Sequence, residues 1–326
     1  MDSEMNYEEN VDTPILFLIF SRPDTTRRVF EVIRNVKPRR LFIAADGPRP
    51  HKNGEAEKCE ECRNIALEVD WECEVKTLFR SENLGCGKAV SGAINWFFEN
   101  VEEGIILEDD TLPGPGFFRF CSELLEKYRH DTRVMAVSGS SLPSRLSEQS
   151  EHSYFFSNWD YIWGWATWKR AWKHYDYKMP HYEHMVRNGY FGSNYYSPYE
   201  KYYLNHSYDR SYYENERVTW WSYQWGYARK INSGLVAVPV RNFIVNIGLG
   251  AGATNTTAED RWSFFKFETM DFPLKHPDFV MHDRSTDDEI FKRHFTTRLS
   301  RMKTQVKEIL PSFILKKLRK AKYGTS

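Results

Sequence analysis

Three consecutive carboxylates, Glu108, Asp109 and Asp110, follow the apolar run GIIL at 104–107 and precede TLPGPG. Side by side they repel one another unless something positive stands among them. A divalent cation is the usual remedy, and carboxylate oxygens suit hard ions such as Mg2+ or Mn2+. An ion held by one or two carboxylates keeps positions open for phosphate oxygens and neutralises charge on a departing diphosphate. The chemistry suggested is that of a nucleoside-diphosphate ligand. A solvated acidic turn is the plainer alternative.

Other polar residues stand at comparable places. Arg22 can pair with a phosphate or stack on a base, and Asp46 can accept a hydrogen bond from a base N–H. The stretch ENLGCGKAVSGA carries Asn83 and Lys88 and joins a glycine turn to a helix start, where free N–H groups favour an anion. It has neither the Walker A order nor the G-x-G-x-x-G dinucleotide fingerprint. Farther on, WGWATW and WWSYQW offer flat aromatic faces for the C–H faces of a sugar: Trp163, Trp165 and Trp221. Gln224 and Asn246 offer partners for its hydroxyls. Tryptophans in such runs are also common core residues.

These groups need a scaffold. Short apolar runs at 14–20, 40–45, 73–79, 104–107 and 134–139 read as buried strands. Helical stripes lie between them: Val29, Ile33 and Val36; a charged helix over 55–69; Val90, Ile94, Phe97 and Val101; then Phe117, Cys121, Leu124 and Tyr128. Strand–helix alternation at this spacing predicts an α/β fold with a mainly parallel sheet. Such a sheet binds ligands beyond the carboxyl ends of its strands, so the carboxylates sit on its rim and not inside its core. Residues 220–234 read as a helix stopped by Gly234, 235–240 as a strand, and 246–256 as a glycine-rich loop. Cys59 and Cys62 share the face of their helix with Ala66 and Val69 and read as core thiols. His181 and His184 are a possible ligand pair without a third member.

Composition bounds the function. The 326 residues carry 45 basic and 45 acidic side chains, which argues against a surface built for nucleic acid. Five cysteines do not make a disulfide framework. The first twelve residues are acidic and lack a signal-peptide apolar region, and no run approaches a membrane span, so a cytoplasmic setting is expected. Eight of eleven tryptophans and at least fifteen of nineteen tyrosines lie between 154 and 227, which puts a seam near 150. The expected organisation is an α/β half (14–150), an aromatic half of the same domain (151–285) and a basic helical tail (286–326). From Ile290 on, eleven Lys or Arg face one Glu, a pattern open to contact with anionic membrane.

Taken in order, SRPDTTRRVFEVI, LFIAADGPR, NLGCGKAVSGAINWFF, GIILEDDTLPGPGFFRFC, WGWATWKRAW and VNIGLGAGATN resemble a bacterial group of nucleotide-diphospho-sugar transferases, the haemolysin-like sugar transferases. That group is similar to the N-acetylglucosaminyltransferase I family. The resemblance spans about 14–257 and implies a GT-A fold, a Rossmann-like mixed sheet flanked by helices, with 14–150 as the donor half and 151–285 as a continuous acceptor half. It implies that Asp110 binds the metal, Mn2+ or Mg2+. It further implies that Glu108 and Asp109 touch the donor sugar or ribose, and that Arg22 and Asp46 contact the nucleotide. The implied reaction moves a sugar, with inversion, from a nucleoside diphosphate, UDP favoured, to a glycan or lipid-linked glycan in cell-surface polysaccharide synthesis.

Inversion needs a base for the acceptor hydroxyl. Where related members are expected to carry an aspartate, two residues before a glutamine, this chain has Ser222, a poor base. Glu214, Glu216 and Asp209 lie just upstream as substitutes. Gly252 and Asn255 stand where an acidic residue and a histidine are expected. A catalytically weakened nucleotide-sugar or glycan-binding protein is therefore the rival reading. A nucleotidyltransferase is a third, without its glycine-rich basic loop after the first strand.

Overall fold

The structure is a computed structural model and describes residues 11–159, 161–190, 198–248 and 266–295. In chain order its first half runs β1 (Ile15–Ile19), α1 (Pro23–Val36), β2 (Arg40–Ala45), α2 (Glu55–Ala66), β3 (Glu74–Phe79) and α3 (Gly85–Asn100). It continues through β4 (Glu103–Glu108), β5 (Thr111–Pro113), α4 (Phe117–Tyr128), β6 (Val134–Ser138) and a short α5 (Arg145–Glu148). The aromatic half supplies β7 (Tyr154–Ser157), β8 (Trp165–Trp168), α6 (Lys169–Trp172), α7 (Tyr182–Arg187), α8 (Pro198–Tyr213) and α9 (Ser222–Ile231). β9 (Leu235–Pro239), β10 (Ile244–Asn246), α10 (Arg284–Ile290) and a π turn (Phe291–Phe295) complete it.

Eight strands form one mixed sheet in the order β3-β2-β1-β4-β8-β6-β9-β7. The β3, β2, β1 and β4 pairings are parallel, as is β6 with β9, while β8 runs antiparallel between β4 and β6 and β7 runs antiparallel to β9. The Trp-rich segment thus has no sheet of its own; its WATW strand is wedged into the centre of the common one. Both faces of the sheet are covered, which is why β1 is apolar throughout. Ile15, Phe17 and Ile19 face α1 and α4, and Leu16 and Leu18 face α3 and the tryptophans.

Helix starts and stops differ from expectation in instructive ways. α9 ends at Ile231 with Asn232 as its C-cap, and Ser233, not Gly234, takes the left-handed conformation with φ of 55°. Gly234 is needed for space, since a Cβ there would meet the Met135 sulfur at 2.0 Å. Cys59 and Cys62 are buried in α2, as expected, and both thiols are pushed up to about 11, mainly by burial. His184 stacks on Tyr190, 6.0 Å between centroids. The described part of the expected tail, 286–295, packs against the body. Asp287 accepts from the Ser157 hydroxyl (2.6 Å) and the Asn158 N–H (2.8 Å), and Phe291 and Phe295 stack on Trp159. Residues 296–326, with most of the basic charge, lie outside the described residues, as do Gly252 and Asn255. Among the described residues no helix is long and apolar enough to cross a membrane.

Candidate active site

The carboxyl ends of β1 to β4 open into a cleft of about 690 Å³ whose opposite wall comes from the aromatic half. Glu108, Asp109 and Asp110 lie at its floor. The turn that holds them is self-tied: the Glu108 N–H donates to the Thr111 hydroxyl (2.9 Å), which donates back to the Glu108 carbonyl (3.0 Å). β5 then pairs antiparallel with β10, placing Asn246 opposite Thr111, and the Ile247 N–H donates to the Asp110 carbonyl (2.8 Å). A strand nearly 140 residues away in sequence therefore fixes the acidic turn and brings Asn246 to the cleft.

The positive group among the carboxylates is Arg22. Its guanidinium donates to Asp109 Oδ1 (2.5 Å) and Asp110 Oδ2 (2.9 Å), while Asp109 Oδ2 accepts from the Phe20 N–H (3.2 Å). Burial would pull Arg22 down, but the two aspartates outweigh it and push its pKa up. Burial, then the Asp110 and Asp109 charges, push Glu108 above the carboxylate range; burial also raises Asp109, held back by Arg22. Pro23 opens α1 directly after Arg22 and fixes the backbone there. Gly248 lets the neighbouring loop approach: a Cβ would stand 2.4 Å from Arg22 Nη1 and 2.5 Å from Asp110 Oδ2.

The donor set suits a hard cation of the kind that keeps substrate positions open. Asp110 Oδ1 and the Glu108 carboxylate accept no hydrogen bond from the described residues, and both face the cleft. Among the described residues no group of three or more His, Cys, Asp or Glu is arranged to cage a metal. Two carboxylates beside an open cleft match an ion completed by phosphate oxygens better than a protein cage.

Asp46, expected to contact a nucleotide, lines the cleft, and its carboxylate also holds the start of α3. Asp46 Oδ1 accepts from the Gly47 and Leu84 N–H groups (3.0 Å each) and Oδ2 from Gly85 (3.0 Å). A carboxylate from β2 thus supplies the anion that the free N–H groups of α3 favour. Asn83 donates to the Gly47 carbonyl (2.7 Å), tying the same two loops, while still lining the cleft. Lys88 points outside it, in an exposed pair with Glu216 at 2.7 Å.

On the aromatic wall Trp163 and Trp221 line the cleft, as does Ser222 at the first turn of α9. Trp165 does not; it is buried beneath Trp221 and stacks on it at 5.6 Å. Gln224 also lies outside the lining, fully buried, with neither amide atom hydrogen-bonded. The substitute bases are displaced too. Glu214 pairs with Arg210 (3.4 Å), Glu216 with Lys88, and Asp209 accepts from the Tyr182 hydroxyl (2.8 Å). None of the three lines the cleft. Four lining residues had no signal in the sequence: Arg49, Arg80, His206 and Arg210. Arg210 lies over the Trp220 ring at 4.6 Å. The i, i+4 spacing of His206 and Arg210 puts both on one face of α8, but that face became visible only with the helix.

No family model matches the chain, and no curated protein does. Among solved structures the chain is similar to HddC from Yersinia pseudotuberculosis, with 10% identity and a TM-score of 0.30, over 48% of this chain and 77% of that one.

Proposed function

We propose that this chain is a metal-dependent, inverting glycosyltransferase that moves a sugar from a nucleoside diphosphate, UDP favoured, to a glycan or lipid-linked glycan in cell-surface polysaccharide synthesis. The observation that carries the proposal is one cleft with two unlike walls. An acidic turn with unshared carboxylate oxygens lies on one side, and Trp163 and Trp221 face it from the other. The donor lies along the ends of β1 to β4, with its diphosphate at the acidic turn and its sugar toward the tryptophans. Asp110 is the metal ligand through Oδ1, and Glu108 faces the donor sugar. When bound, a Mn2+ or Mg2+ ion supplies neutralising charge to the departing diphosphate. Arg22 stands between the carboxylates and the phosphates and holds the turn together.

The acceptor hydroxyl attacks the anomeric carbon, the bond from that carbon to the phosphate oxygen breaks, and the hydroxyl proton passes to a base. Ser222 cannot hold that proton at neutral pH. Among the described residues of the aromatic wall, His206 is the lining side chain of the type that most often serves as a general base. His206 is therefore the base in this reading, and Trp163, Trp221 and Asn246 position the acceptor.

The rival, a binding protein that holds the donor without turning it over, is favoured by Ser222. Calorimetric titration of UDP and GDP, with and without Mn2+, into wild type and Asp110→Ala tests the donor site. Metal-dependent binding lost in the variant supports it; no binding of either nucleotide rejects it. With a bound UDP-sugar, release of UDP that falls at least a hundred-fold in His206→Gln while binding persists supports the transferase. Binding with no transfer to any glycan supports the rival.

A further inference from the structure

Every other arginine that lines the cleft is already engaged: Arg22 with Asp109 and Asp110, Arg49 with Glu55, Arg210 with Glu214 and the Trp220 ring. Arg80 is not. Its N–H continues the β2–β3 ladder onto the Ala45 carbonyl (3.0 Å), and its carbonyl accepts from Arg63 (2.7 Å). The backbone is thus pinned, yet among the described residues nothing accepts a hydrogen bond or ion pair from the guanidinium. The side chain is half-buried, and burial pulls its pKa down while Asp46 pushes partly back. A partly desolvated cation without a protein acceptor is costly, and an arriving acceptor offsets that cost.

The surroundings limit what that acceptor is. Arg80 follows β3, and the sheet order β3-β2-β1-β4 puts it three inter-strand spacings, about 14 Å, from the acidic turn after β4. A diphosphate at Asp110 therefore places the far end of an extended nucleotide, its base, near Arg80. Next to Arg80 the cleft is floored by small apolar side chains, Ala44, Ala89 and Ala93 with Leu18, which suit a flat ring. Gly92 of α3 leaves room for the guanidinium, since a Cβ there would stand 3.1 Å from Arg80 Nη2. Asp46, beside it, has both oxygens committed to backbone N–H groups.

Resting on the nucleotide-sugar reading, we propose that Arg80 reads the base of the donor and selects an edge with carbonyl acceptors, uracil or guanine, over one with an amino group, cytosine or adenine. A guanidinium carries five donors and no acceptor. Uracil O4 or guanine O6 and N7 accepts from it, whereas cytosine and adenine present an amino group at the corresponding position.

The test is calorimetry in Mn2+ with UDP, CDP, GDP, ADP and inorganic pyrophosphate, on wild type, Arg80→Ala and Arg80→Lys. Wild type is expected to bind UDP at least ten-fold tighter than CDP, or GDP at least ten-fold tighter than ADP. Arg80→Ala should erase that preference by weakening the favoured nucleotide about ten-fold or more, the scale of one charge-assisted hydrogen bond. Pyrophosphate binding should not change, and Arg80→Lys should not restore the preference, because it keeps the charge and loses the planar fork. An unchanged unfolding midpoint for Arg80→Ala keeps misfolding out of the result. Preference intact in Arg80→Ala overturns the inference and leaves the nucleotide-sugar reading standing. So does pyrophosphate binding that falls in Arg80→Ala and returns in Arg80→Lys, which makes Arg80 a phosphate contact. Wild type binding no nucleotide and no pyrophosphate rejects both.

Discussion

Replacing Arg22 by alanine strips the acidic turn of its counter-charge. The guanidinium is 30% exposed, and its two partners are 4% and 16% exposed. Breaking a buried pair costs ~3–5 kcal/mol, and the partial exposure of Arg22 brings the expected loss to about 2–3 kcal/mol. For a chain of this size that lowers the unfolding midpoint by about 5 °C. A divalent cation is expected to reverse it. An ion that binds only the folded state adds ~2.7 kcal/mol at a hundred times its dissociation constant, which offsets the loss. The assay is thermal unfolding of wild type, Arg22→Ala and Arg22→Ala/Asp110→Ala across a Mn2+ series, with Ca2+ as a control. Mn2+ should raise the midpoint of the single variant by about 5 °C and that of the double variant hardly at all. Equal Mn2+ responses in the single and double variants would refute Asp110 as a metal ligand. No fall in the Arg22→Ala midpoint would refute the charge balance from which the argument starts.

Three further outcomes follow from the same geometry. Gly248→Ala drives a Cβ against Arg22 and Asp110; UDP binding should fall about ten-fold, by calorimetry, through displacement of the acidic turn. Lys230 and Glu200 form a fully buried pair at 3.2 Å, so Lys230→Met should destabilise by ~3–5 kcal/mol in urea, with much of it regained in Lys230→Met/Glu200→Met. Glu55 is held down at about 2, foremost by the Arg49 hydrogen bond. A depressed carboxylate stabilises above its unfolded pKa, so the wild-type advantage over Glu55→Gln should be full above about pH 5 and vanish as pH falls from 4.5 toward 2.

The parallel core was legible because its signals are local. Short apolar runs alternate with amphipathic helices, and both patterns survive in the sequence over 14–139. The acidic turn was legible for the same reason, since its three carboxylates are adjacent. The aromatic wall was not. WATW is four residues long and shows no period of its own; it becomes a strand because β4 and β6 stand open on either side of it. The protein partners of Lys88 and Asp46, Glu216 and the Leu84–Gly85 backbone, were not legible because they are 128 and 38 or 39 residues away. Glu214 and Glu216 were proposed from nearness in sequence to Ser222, and nearness says nothing about which way a side chain turns at the end of α8. The place of His206 in the cleft lining was not legible because a lone histidine in a tyrosine-rich helix carries no periodic signal.

The wedge of β8 between β4 and β6 also dictates when the molecule can be finished. β1 to β4 can pair as soon as residue 108 is made, but the sheet cannot extend past β4 until residues 165–168 emerge, and β6 cannot gain its outer neighbour until 235–239 do. A growing chain therefore carries an open strand edge in the middle of its future core through the synthesis of some sixty residues, and such an edge invites pairing with another chain. The two halves are bound by the same fact. A cut near 150, or a graft of one half onto a foreign partner, would expose that edge permanently, so the aromatic wall can be varied in its loops but not exchanged as a cassette.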